Sequence, residues 1–360
     1  MHSGKPESHA QAPQEQADAR VRDALRVLAS GGTWSREQGE AFFTDLLEGR
    51  LHDAQIGAAL GLLAARGPTP LELLAGATVM RRHVTPIPGV EAMPGTVIDT
   101  CGTGGARKTF NISTLSAIVT AAAGNGRVRV AKHGNRGRSG RGSAEVIGAL
   151  GVNVDAPPDV QARCLRECAV CFCFAIHHHP AMRHVAPARR ALGFPTIFNL
   201  LGPLSNPARV SRQVLGVYRP EFVDLVAHTL AALGASRAMV VHADDGIDEI
   251  STTGPTRIGH VENGAVRIER FDPAPLGLPA PRAEDLDALD LDDAVRIARG
   301  VLAGHTGPAR DIVLLNAAAA LVVGGAASDW RQGVDAAADA IDSGAAARTL
   351  HALADLSRSA

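Results

Sequence analysis

The strongest constraint on the fold is a regular alternation of strand-like and helical segments that begins at Gly95. The predicted strands are Thr96–Thr100, Arg127–Ala131, Val170–Ile176, Val214–Tyr218 and Ala238–His242. The predicted helices are Asn111–Gly124, Ser143–Leu150, Pro220–Leu233 and Asp311–Val323. Parallel strands need crossover connections, usually helices, so this order predicts an α/β domain with a mostly parallel central sheet. Residues 263–300 are rich in Pro and Asp, and we expect peripheral loops and one helix there.

The residues before Gly95 follow a helical pattern instead. Apolar residues recur at helical spacing from Ala19 to about Thr85, and Ser35 followed by Gln38 matches a capping box. A stiff connector then contains Pro86, Pro88 and Pro94. The sequence therefore predicts a small all-helical N-terminal domain followed by the larger α/β domain.

The domain boundaries are predicted from these changes of pattern. The helical domain is expected over residues 19–90, with a helical segment at about 180–207 that returns to it. The α/β domain is expected over residues 95–178 and 208–355. Residues 1–18 are polar and lack the apolar core of a signal peptide, so they predict a disordered lead.

Composition and charge disfavour several classes of protein. The 36 Lys and Arg residues are balanced by 37 Asp and Glu residues, so neither nucleic acid nor an anionic membrane is favoured as the main partner. Aromatic residues make up only 3% of the chain, which argues against stacking platforms for single-stranded nucleic acid. The longest apolar run, Ile312–Val323, is too short to span a bilayer. Five cysteines without an export signal predict reduced thiols and a cytoplasmic location.

A glycine-rich loop joins the first predicted strand to its helix. It begins at Gly102 and reaches Lys108, and Asn111, Ser113 and Thr114 follow at the helix start. Glycines let backbone N–H groups approach an anion, and a helix N-terminus carries partial positive charge. The loop favours phosphate binding, although a tight turn with an ordinary N-cap has the same pattern. It matches neither a P-loop nor the G-x-G-x-x-G motif.

A second loop, rich in basic residues, follows the second predicted strand. Six Lys or Arg residues and no acidic residue occur from Arg127 to Ser143, around the segment Lys132–Arg136. The alternatives are a solvated basic loop and a nucleic-acid patch. Because this loop also joins a strand to a helix, both loops are expected at one sheet edge, where they indicate a substrate with two phosphate groups.

Four carboxylates follow the predicted strand Ala238–His242, at Asp244, Asp245, Asp248 and Glu249. Mg²⁺ prefers a few carboxylates together with water and substrate phosphates, so this segment favours a magnesium site beside the two loops. An ordinary polar turn is the alternative.

A zinc site is disfavoured, although histidines and cysteines occur close together. Three consecutive histidines begin at His177, and four cysteines lie within Cys164–Cys173. Their spacing matches no standard zinc ligand set, and the last two cysteines alternate with phenylalanines as buried strand residues do. Cys101 has no paired base beside it and is likewise interpreted as a strand residue.

Five segments occur in a fixed order over about residues 20–350. They are the glycine loop with Asn111–Thr114, then Lys132–Arg136, His179–Met182, Phe198–Leu204 and Asp248–Ser251. In these motifs the chain resembles the anthranilate phosphoribosyltransferase family. The related pyrimidine nucleoside phosphorylases are similar in fold and in the Lys-His-Gly loop, but they lack the later motifs.

The resemblance implies a reaction and an architecture. The 5-phosphoribosyl group of phosphoribosyl pyrophosphate (PRPP) would be transferred to the amine of anthranilate, with release of pyrophosphate, in tryptophan biosynthesis. The active site would lie in the cleft between the helical and α/β domains. The resemblance also implies a Mg²⁺ cofactor and a homodimer formed through the helical domain; neither a membrane nor nucleic acid is expected as a partner.

The resemblance also implies roles for residues at matching positions. PRPP would be held by Gly102, Gly105, Thr109, Asn111, Ser113, Thr114, Lys132 and Ser143. Mg²⁺ would be bound by Ser113, Asp248 and Glu249. Anthranilate would be bound by Gly102, His133, Asn135, Arg189, Gly202 and Pro203. The catalytic residues would be Lys132, which would stabilise the leaving pyrophosphate, and Arg189, whose guanidinium fork fits the anthranilate carboxylate.

Two loops depart from the family pattern. The family's glycine loop continues with Asp where this chain has Ala106, and the loop here is one residue shorter. Arg107 and Lys108 bring positive charge instead, and we predict that they contact pyrophosphate and partly replace a metal contact. The loop after Arg136 is also one residue shorter. The open alternatives are a paralogue with another aromatic acceptor, a nucleoside phosphorylase, and a non-catalytic nucleic-acid-binding protein.

Overall fold

The computed structural model describes residues 11–107, 109–137 and 140–359, with side chains from Gln16 onward. These residues form two compact units. The first unit contains the described residues up to Val84 together with His179–Leu201. The second unit contains Thr85–His178 and the described residues from Gly202 onward.

The described helices are α1 (Gln11–Ala29), α2 (Arg36–Leu47), α3 (Asp53–Arg66), α4 (Pro70–His83), α5 (Ile112–Ala123), α6 (Ser143–Ala149), α7 (Pro158–Cys168), α8 (Ala175–His178), α9 (Ala186–Leu192), α10 (Ile197–Leu201), α11 (Phe222–Ala232), α12 (Leu291–Leu302), α13 (Pro308–Gly324), α14 (Trp330–Asp342) and α15 (Ala345–Arg358). The described strands are β1 (Thr96–Gly102), β2 (Val128–Gly134), β3 (Val170–Phe174), β4 (Arg212–Gly216), β5 (Arg237–Ala243), β6 (Thr256–Glu262) and β7 (Ala265–Phe271).

The first unit is built from α1–α4, α9 and α10. Helical spacing on α1 buries one stripe of small and aliphatic side chains, Ala17, Val21, Ala24 and Leu28. The capping box predicted at the start of α2 is confirmed, because Gln38 N donates to Ser35 Oγ and Ser35 N donates to Gln38 Oε1. The helical character predicted for this part of the chain is therefore confirmed.

The second unit contains a mostly parallel sheet, as predicted. Within the described chain, seven strands pair in the order β3-β2-β1-β4-β5-β6-β7. The pairs among β1–β5 are parallel, and β6 and β7 are antiparallel. The order reverses between β1 and β4, where Gly102 and Gly216 are register partners at the strand ends. In open α/β sheets, ligands bind outside the carboxyl ends of strands at such a reversal.

The prediction that residues 263–300 contain only peripheral loops and one helix is wrong for the first residues of this range. Residues 265–271 form β7, which pairs with β6 in an antiparallel hairpin. The turn contains Asn263 and Gly264 with φ of 49° and 85°, a left-handed pair that suits a two-residue hairpin. Strand β7 is mostly exposed, so it lacks the apolar run by which buried strands are found in a sequence.

The disordered lead predicted over residues 1–18 is also wrong where the structure describes it. Helix α1 begins at Gln11, and Ala17, which falls within the predicted lead, is buried on the apolar stripe of that helix. Residues 1–10 lie outside the described residues.

Both parts of the helical unit end earlier in the chain than predicted. They end at Val84 and Leu201, whereas the predicted ends were residues 90 and 207. Thr85 N donates to the carbonyl of His178 at 2.8 Å, and Ile87 N donates to that of Pro207 at 3.2 Å. These bonds join residues 85–87 and Pro207 to the second unit. None of the described helices combines the length and the hydropathy that crossing a membrane requires.

Candidate functional site

The site is centred on Asp248, which lies against the backbone at the ends of β1 and β4. A β carbon on Gly216 would lie 1.7 Å from the carbonyl oxygen of Asp248. A β carbon on Gly102 would lie 2.6 Å from Asp248 Oδ2. The first clash is with backbone and could be relieved only by moving the turn, whereas the second would require the carboxylate to rotate away. Glycine at both positions therefore keeps Asp248 at the sheet edge.

The glycine-rich loop continues from β1 in a conformation that needs glycine. Gly104 and Gly105 have φ of 63° and 98°, in the left-handed region that side chains disfavour. Thr109 Oγ1 donates to the carbonyl of Phe110 at 2.9 Å, just before α5. Gly102, Gly104 and Gly105 are exposed, so their backbone is accessible to a ligand at this edge.

Arg107, predicted to contact pyrophosphate, has protein partners. Its Nη2 donates to Asp287 Oδ1 at 2.5 Å and to the carbonyl of Ala283 at 2.7 Å. Its backbone N–H donates to the carbonyl of Gly246 at 3.2 Å. Lys108, predicted beside it, lies outside the described residues.

The N-terminus of α5 brings the predicted ligand Ser113 to the acidic turn. Ser113 N donates to Glu249 Oε1 at 3.0 Å. Thr114 is buried, and its Oγ1 has no hydrogen-bond partner within the described chain. Asn111 precedes the helix, and its side chain does not cap it; Nδ2 donates instead to the carbonyl of Arg141 at 3.3 Å. The start of α5 and the second loop are therefore joined by a hydrogen bond.

Lys132 supplies a buried positive charge beside three carboxyl groups. It is 3% exposed near the end of β2, and Nζ donates to the carbonyl of His133 at 3.2 Å. Burial raises the pKa of Asp99, Asp248 and Glu249, and the ammonium group of Lys132 opposes the rise in each case. Lys132 thus favours the ionised form of all three carboxyl groups.

Asp248 and Glu249 have the chemistry of a magnesium site. Burial and the neighbouring Asp248 carboxylate raise the pKa of Glu249 to about 8. Two adjacent carboxylates that disfavour each other's charge would be stabilised by a divalent cation. With the Ser113 hydroxyl they provide hard oxygen donors, and Mg²⁺ commonly binds to one or two carboxylates together with substrate phosphates. The residues present therefore fit the ion.

The other two carboxylates of the acidic segment do not join this pair. Asp244 Oδ2 accepts from Arg270 Nη2 at 2.5 Å. Asp245 Oδ2 accepts from the hydroxyls of Ser251 and Thr253, at 2.8 and 2.5 Å. The interpretation of the segment as a four-carboxylate cluster is therefore wrong, because β7 and the residues that follow the acidic turn provide partners for two of its members.

The second loop is closed by Ser143, one of the predicted PRPP ligands. Asn135 N donates to Ser143 Oγ at 3.2 Å, and that hydroxyl lies 3.3 Å from the carbonyl of Asn135. His133 is buried, and its backbone N–H donates to Asp99 Oδ1 at 3.0 Å. Asn135 is exposed. Arg138 and Ser139, between them and α6, lie outside the described residues.

The remaining predicted anthranilate ligands are described within their own units. Arg189 lies on α9 of the first unit, with its guanidinium carbon 5.5 Å from the centre of the Phe198 ring. Gly202 and Pro203 belong to the second unit, where the carbonyl of Pro203 accepts from Gln213 Nε2 at 3.1 Å. The predicted site residues that the structure brings together are Gly102, Ser113, Lys132, Asp248 and Glu249.

The five cysteines lie in the second unit, where four are buried and Cys168 is partly exposed. Cys171 and Cys173 lie on β3 with their sulfurs 3.6 Å apart, and Cys164 is buried on α7. Burial raises the pKa of the Cys101 thiol well above its ordinary value. A thiol that stays protonated is a poor nucleophile, which agrees with its interpretation as a strand residue.

Sequence reasoning missed three residues of the site. Asp99 interrupts the apolar run of β1, and a buried carboxyl in a strand is a signal that could have been used. Gly216 ends β4 without a glycine cluster around it, and Asp287 lies in the segment interpreted as peripheral loop. Neither of the last two carries a local signal, because each acts on a residue far away in the chain.

Comparison with known proteins agrees with this architecture. Residues 94–347 match the model described as "Glycosyl transferase family, a/b domain". Residues 22–84 match the model described as "Glycosyl transferase family, helical bundle domain". The two matches together cover the helical segment and the sheet-containing segment described above.

Named relatives span almost the whole chain. The anthranilate phosphoribosyltransferase of Methylorubrum extorquens strain PA1 is 48% identical over 335 residues, which cover 92% of this chain and 97% of that protein. The crystal structure of the enzyme of that name from Thermus thermophilus matches with a TM-score of 0.85 at 36% identity, covering 94% of this chain and all of that one (100%). The enzyme from Saccharomyces cerevisiae, in complex with PRPP and Mg, matches with a TM-score of 0.83 at 26% identity, covering 94% and 98% of the two chains. The chain belongs to the anthranilate phosphoribosyltransferase family.

Proposed function

We propose that this protein is an anthranilate phosphoribosyltransferase, which transfers the 5-phosphoribosyl group of PRPP to the amine of anthranilate and releases pyrophosphate. The observation that carries the proposal is the meeting of three features at the ends of β1 and β4. These are the glycine-rich loop, the N-terminus of α5 and the carboxylate pair Asp248 and Glu249. The names of relatives at 48% identity over 92% of the chain support it independently.

The glycine-rich loop and α5 would bind the phosphate groups of PRPP. The backbone N–H groups of the loop and the partial positive charge of a helix N-terminus suit an anion. Thr114 Oγ1 is a buried donor without a partner among the described residues, so it can donate to a phosphate oxygen without breaking a bond. We assign the same role to Gly105, Thr109, Asn111, Ser113 and Ser143.

Asp248 and Glu249, with the hydroxyl of Ser113, would hold Mg²⁺. When bound, the ion supplies positive charge that stabilises the leaving pyrophosphate. The enzyme from S. cerevisiae was solved with PRPP and Mg, which supports a role for the ion here. Before the ion binds, the positive charge of Lys132 would partly compensate the negative charge of these two carboxylates.

Lys132 would also act on the reaction itself. Its ammonium group is buried and held at the end of β2, where it is fixed before the substrate arrives. A fixed positive charge in a site with little water stabilises developing negative charge more strongly than a mobile surface lysine. We therefore assign to Lys132 the stabilisation of the departing pyrophosphate.

The acceptor needs orientation more than activation. The lone pair of an aromatic amine is available near neutral pH, so no strong base is needed, and positioning supplies much of the rate. We assign the binding of anthranilate to Gly102, His133, Asn135, Gly202 and Pro203. Arg189 would bind the carboxylate of anthranilate, because a guanidinium group can donate two parallel hydrogen bonds to it.

The test is a fluorescence assay of the purified chain with PRPP, Mg²⁺ and anthranilate. We expect loss of anthranilate emission that requires all three, and no phosphorolysis of uridine or thymidine by inorganic phosphate. PRPP binding by calorimetry without turnover would indicate a different aromatic acceptor. A salt-sensitive shift of duplex DNA without PRPP binding would contradict the enzyme and favour a nucleic-acid-binding protein.

Assembly and location remain predictions of the same proposal. A homodimer formed through the helical unit is tested by light scattering, with the wild-type chain compared with variants of the exposed apolar residues Leu71 and Phe194 of that unit. A cytoplasmic location is tested by cell fractionation.

A further inference from the structure

We infer that Arg107 is a positioning residue, which holds the glycine-rich loop in place through Asp287 and does not itself bind pyrophosphate. The inference rests on the proposed function and concerns how the glycine-rich loop binds PRPP. It replaces the role that the sequence predicts for Arg107.

The first support is the set of partners that already use the Arg107 side chain. Nη2 donates to Asp287 Oδ1 at 2.5 Å and to the carbonyl of Ala283 at 2.7 Å. Phe110 donates its N–H to the carbonyl of Leu286 at 3.1 Å. The segment 283–287 therefore contacts the last part of the loop and the residue that precedes Asn111 and α5.

The second support is that this segment is itself anchored. The Leu286 side chain is fully buried, at 0% exposure, and Ala288 beside it is buried as well. Arg107 N also donates to the carbonyl of Gly246, in the acidic turn that carries Asp248. Arg107 thus joins the loop to a core-anchored segment and to the turn with the proposed magnesium ligands.

The third support is the conformational freedom of the loop. Gly104 and Gly105 adopt left-handed backbone angles and have few restrictions of their own, so ordering the loop around a ligand carries an entropic cost. An anchor one residue after Ala106 lowers that cost before PRPP arrives, because a loop fixed in its bound form binds more tightly. Arg107, which follows Ala106 directly in the loop, carries this anchor.

The competing role is a direct contact with pyrophosphate. Arg107 Nη1 is buried and has no hydrogen-bond partner among the described residues, so it could in principle donate to an anion. The two roles predict opposite results for Asp287→Asn. If Asp287 holds the anchor, the substitution weakens PRPP binding. If Arg107 binds the anion directly, removal of a competing carboxylate leaves PRPP binding unchanged or strengthens it.

The experiment compares Arg107→Ala, Asp287→Asn and the double variant with the wild-type chain. Loss of a hydrogen bond between charged groups weakens binding by about tenfold. We therefore expect the KM for PRPP to rise about tenfold in each single variant. The double variant should show about the same rise as Arg107→Ala, because that substitution already removes the bond to Asp287. The kcat, the KM for anthranilate and the thermal midpoint should stay close to wild type, which separates positioning from a general loss of structure.

Glu284→Gln is the matched control, since it removes a negative charge from an exposed side chain of the same segment, whereas the Arg107 side chain donates to Ala283 and Asp287. We expect it to leave the KM for PRPP unchanged. The inference is overturned if Asp287→Asn leaves this KM within about twofold of wild type, or if the double variant shows about a hundredfold rise, the product of two independent effects. A wild-type chain that binds no PRPP in calorimetry overturns the proposed function as well; a wild-type chain that turns over with an unaffected Asp287→Asn overturns only this inference.

Discussion

Gly216 and Asp248 approach so closely that a β carbon on the glycine would lie 1.7 Å from the carbonyl oxygen of the aspartate. The contact is between backbones, so it fixes the acidic turn against the end of β4 whatever rotamer the carboxylate adopts. Gly102, the register partner of Gly216, approaches the carboxylate of the same residue. The position of the proposed magnesium ligand therefore depends on two neighbouring strands that have no side chain at their ends.

We expect Gly216→Ala to displace Asp248 and to lower turnover at least about a hundredfold, because small misplacements of reacting groups have effects of that size. Overpacking of this kind also destabilises folded proteins, and we expect the thermal midpoint to fall by about 5 °C. Steady-state assays and thermal unfolding measure the two effects. Gly254→Ala is the matched control, since a β carbon there meets nothing within 4 Å. Equal activity of the two variants would contradict the role of Gly216.

We expect Lys132→Met to lower kcat about a hundredfold or more, because it removes the fixed positive charge while keeping a side chain of similar length. The change also removes the cation that opposes the raised pKa of Glu249, so Mg²⁺ should bind only at higher pH. Turnover against pH at fixed Mg²⁺ measures both effects, and circular dichroism checks the fold. A wild-type pH profile in the variant would argue that Lys132 does not act on the carboxylates.

Most of the fold could be predicted because its elements carry local signals. The parallel strands β1–β5 are short apolar runs followed by turn residues, and the capping box at Ser35 is visible in four letters. Strand β7 was missed because its side chains alternate with charges at an exposed edge. The dipeptide Asn263-Gly264 was a usable signal for that hairpin, since it favours a two-residue turn.

The site was predicted less completely because several of its contacts join distant parts of the chain. The sequence indicates that acidic residues follow β5. It cannot show that Asp244 pairs with Arg270, or that Asp248 is the residue that lies at the site. The partner of Arg107 lies 180 residues further along the chain. The sequence does not show that Asp287 pairs with Arg107, so a basic residue in a phosphate-binding loop is predicted to bind phosphate itself.

The raised pKa of Glu249 predicts how stability without metal depends on pH. With a pKa of about 8 in the folded chain and an ordinary value of 4.5, the folded state keeps a proton that the unfolded chain loses between these pH values. Stability without metal should therefore fall as pH rises through this window and change no further above it. Glu249→Gln cannot ionise, so we expect its thermal midpoint in EDTA to exceed that of the wild type by a few degrees at pH 9 and by little at pH 5.

Two measurements support or contradict this assignment. Mg²⁺ should raise the midpoint of the wild type at pH 9 and should have little effect on Glu249→Gln, which has lost a ligand. Glu284→Gln, at an exposed position, should follow the wild-type curve throughout. Parallel pH curves for the wild type and Glu249→Gln would show that another group causes the fall.

Arg189 is the residue whose proposed role is most directly tested by changing the substrate. We expect Arg189→Ala to raise the KM for anthranilate roughly 10- to 100-fold and to leave the KM for PRPP unchanged, because a guanidinium–carboxylate pair is lost. Arg190→Ala is the matched control, since Arg190 is exposed on the same helix α9. Aniline lacks the carboxylate that Arg189 would bind, so the wild type and Arg189→Ala should react with aniline equally slowly. If Arg189→Ala slows the reaction with aniline as much as that with anthranilate, the arginine acts on the fold or on PRPP, and the binding of the carboxylate must be assigned to another residue.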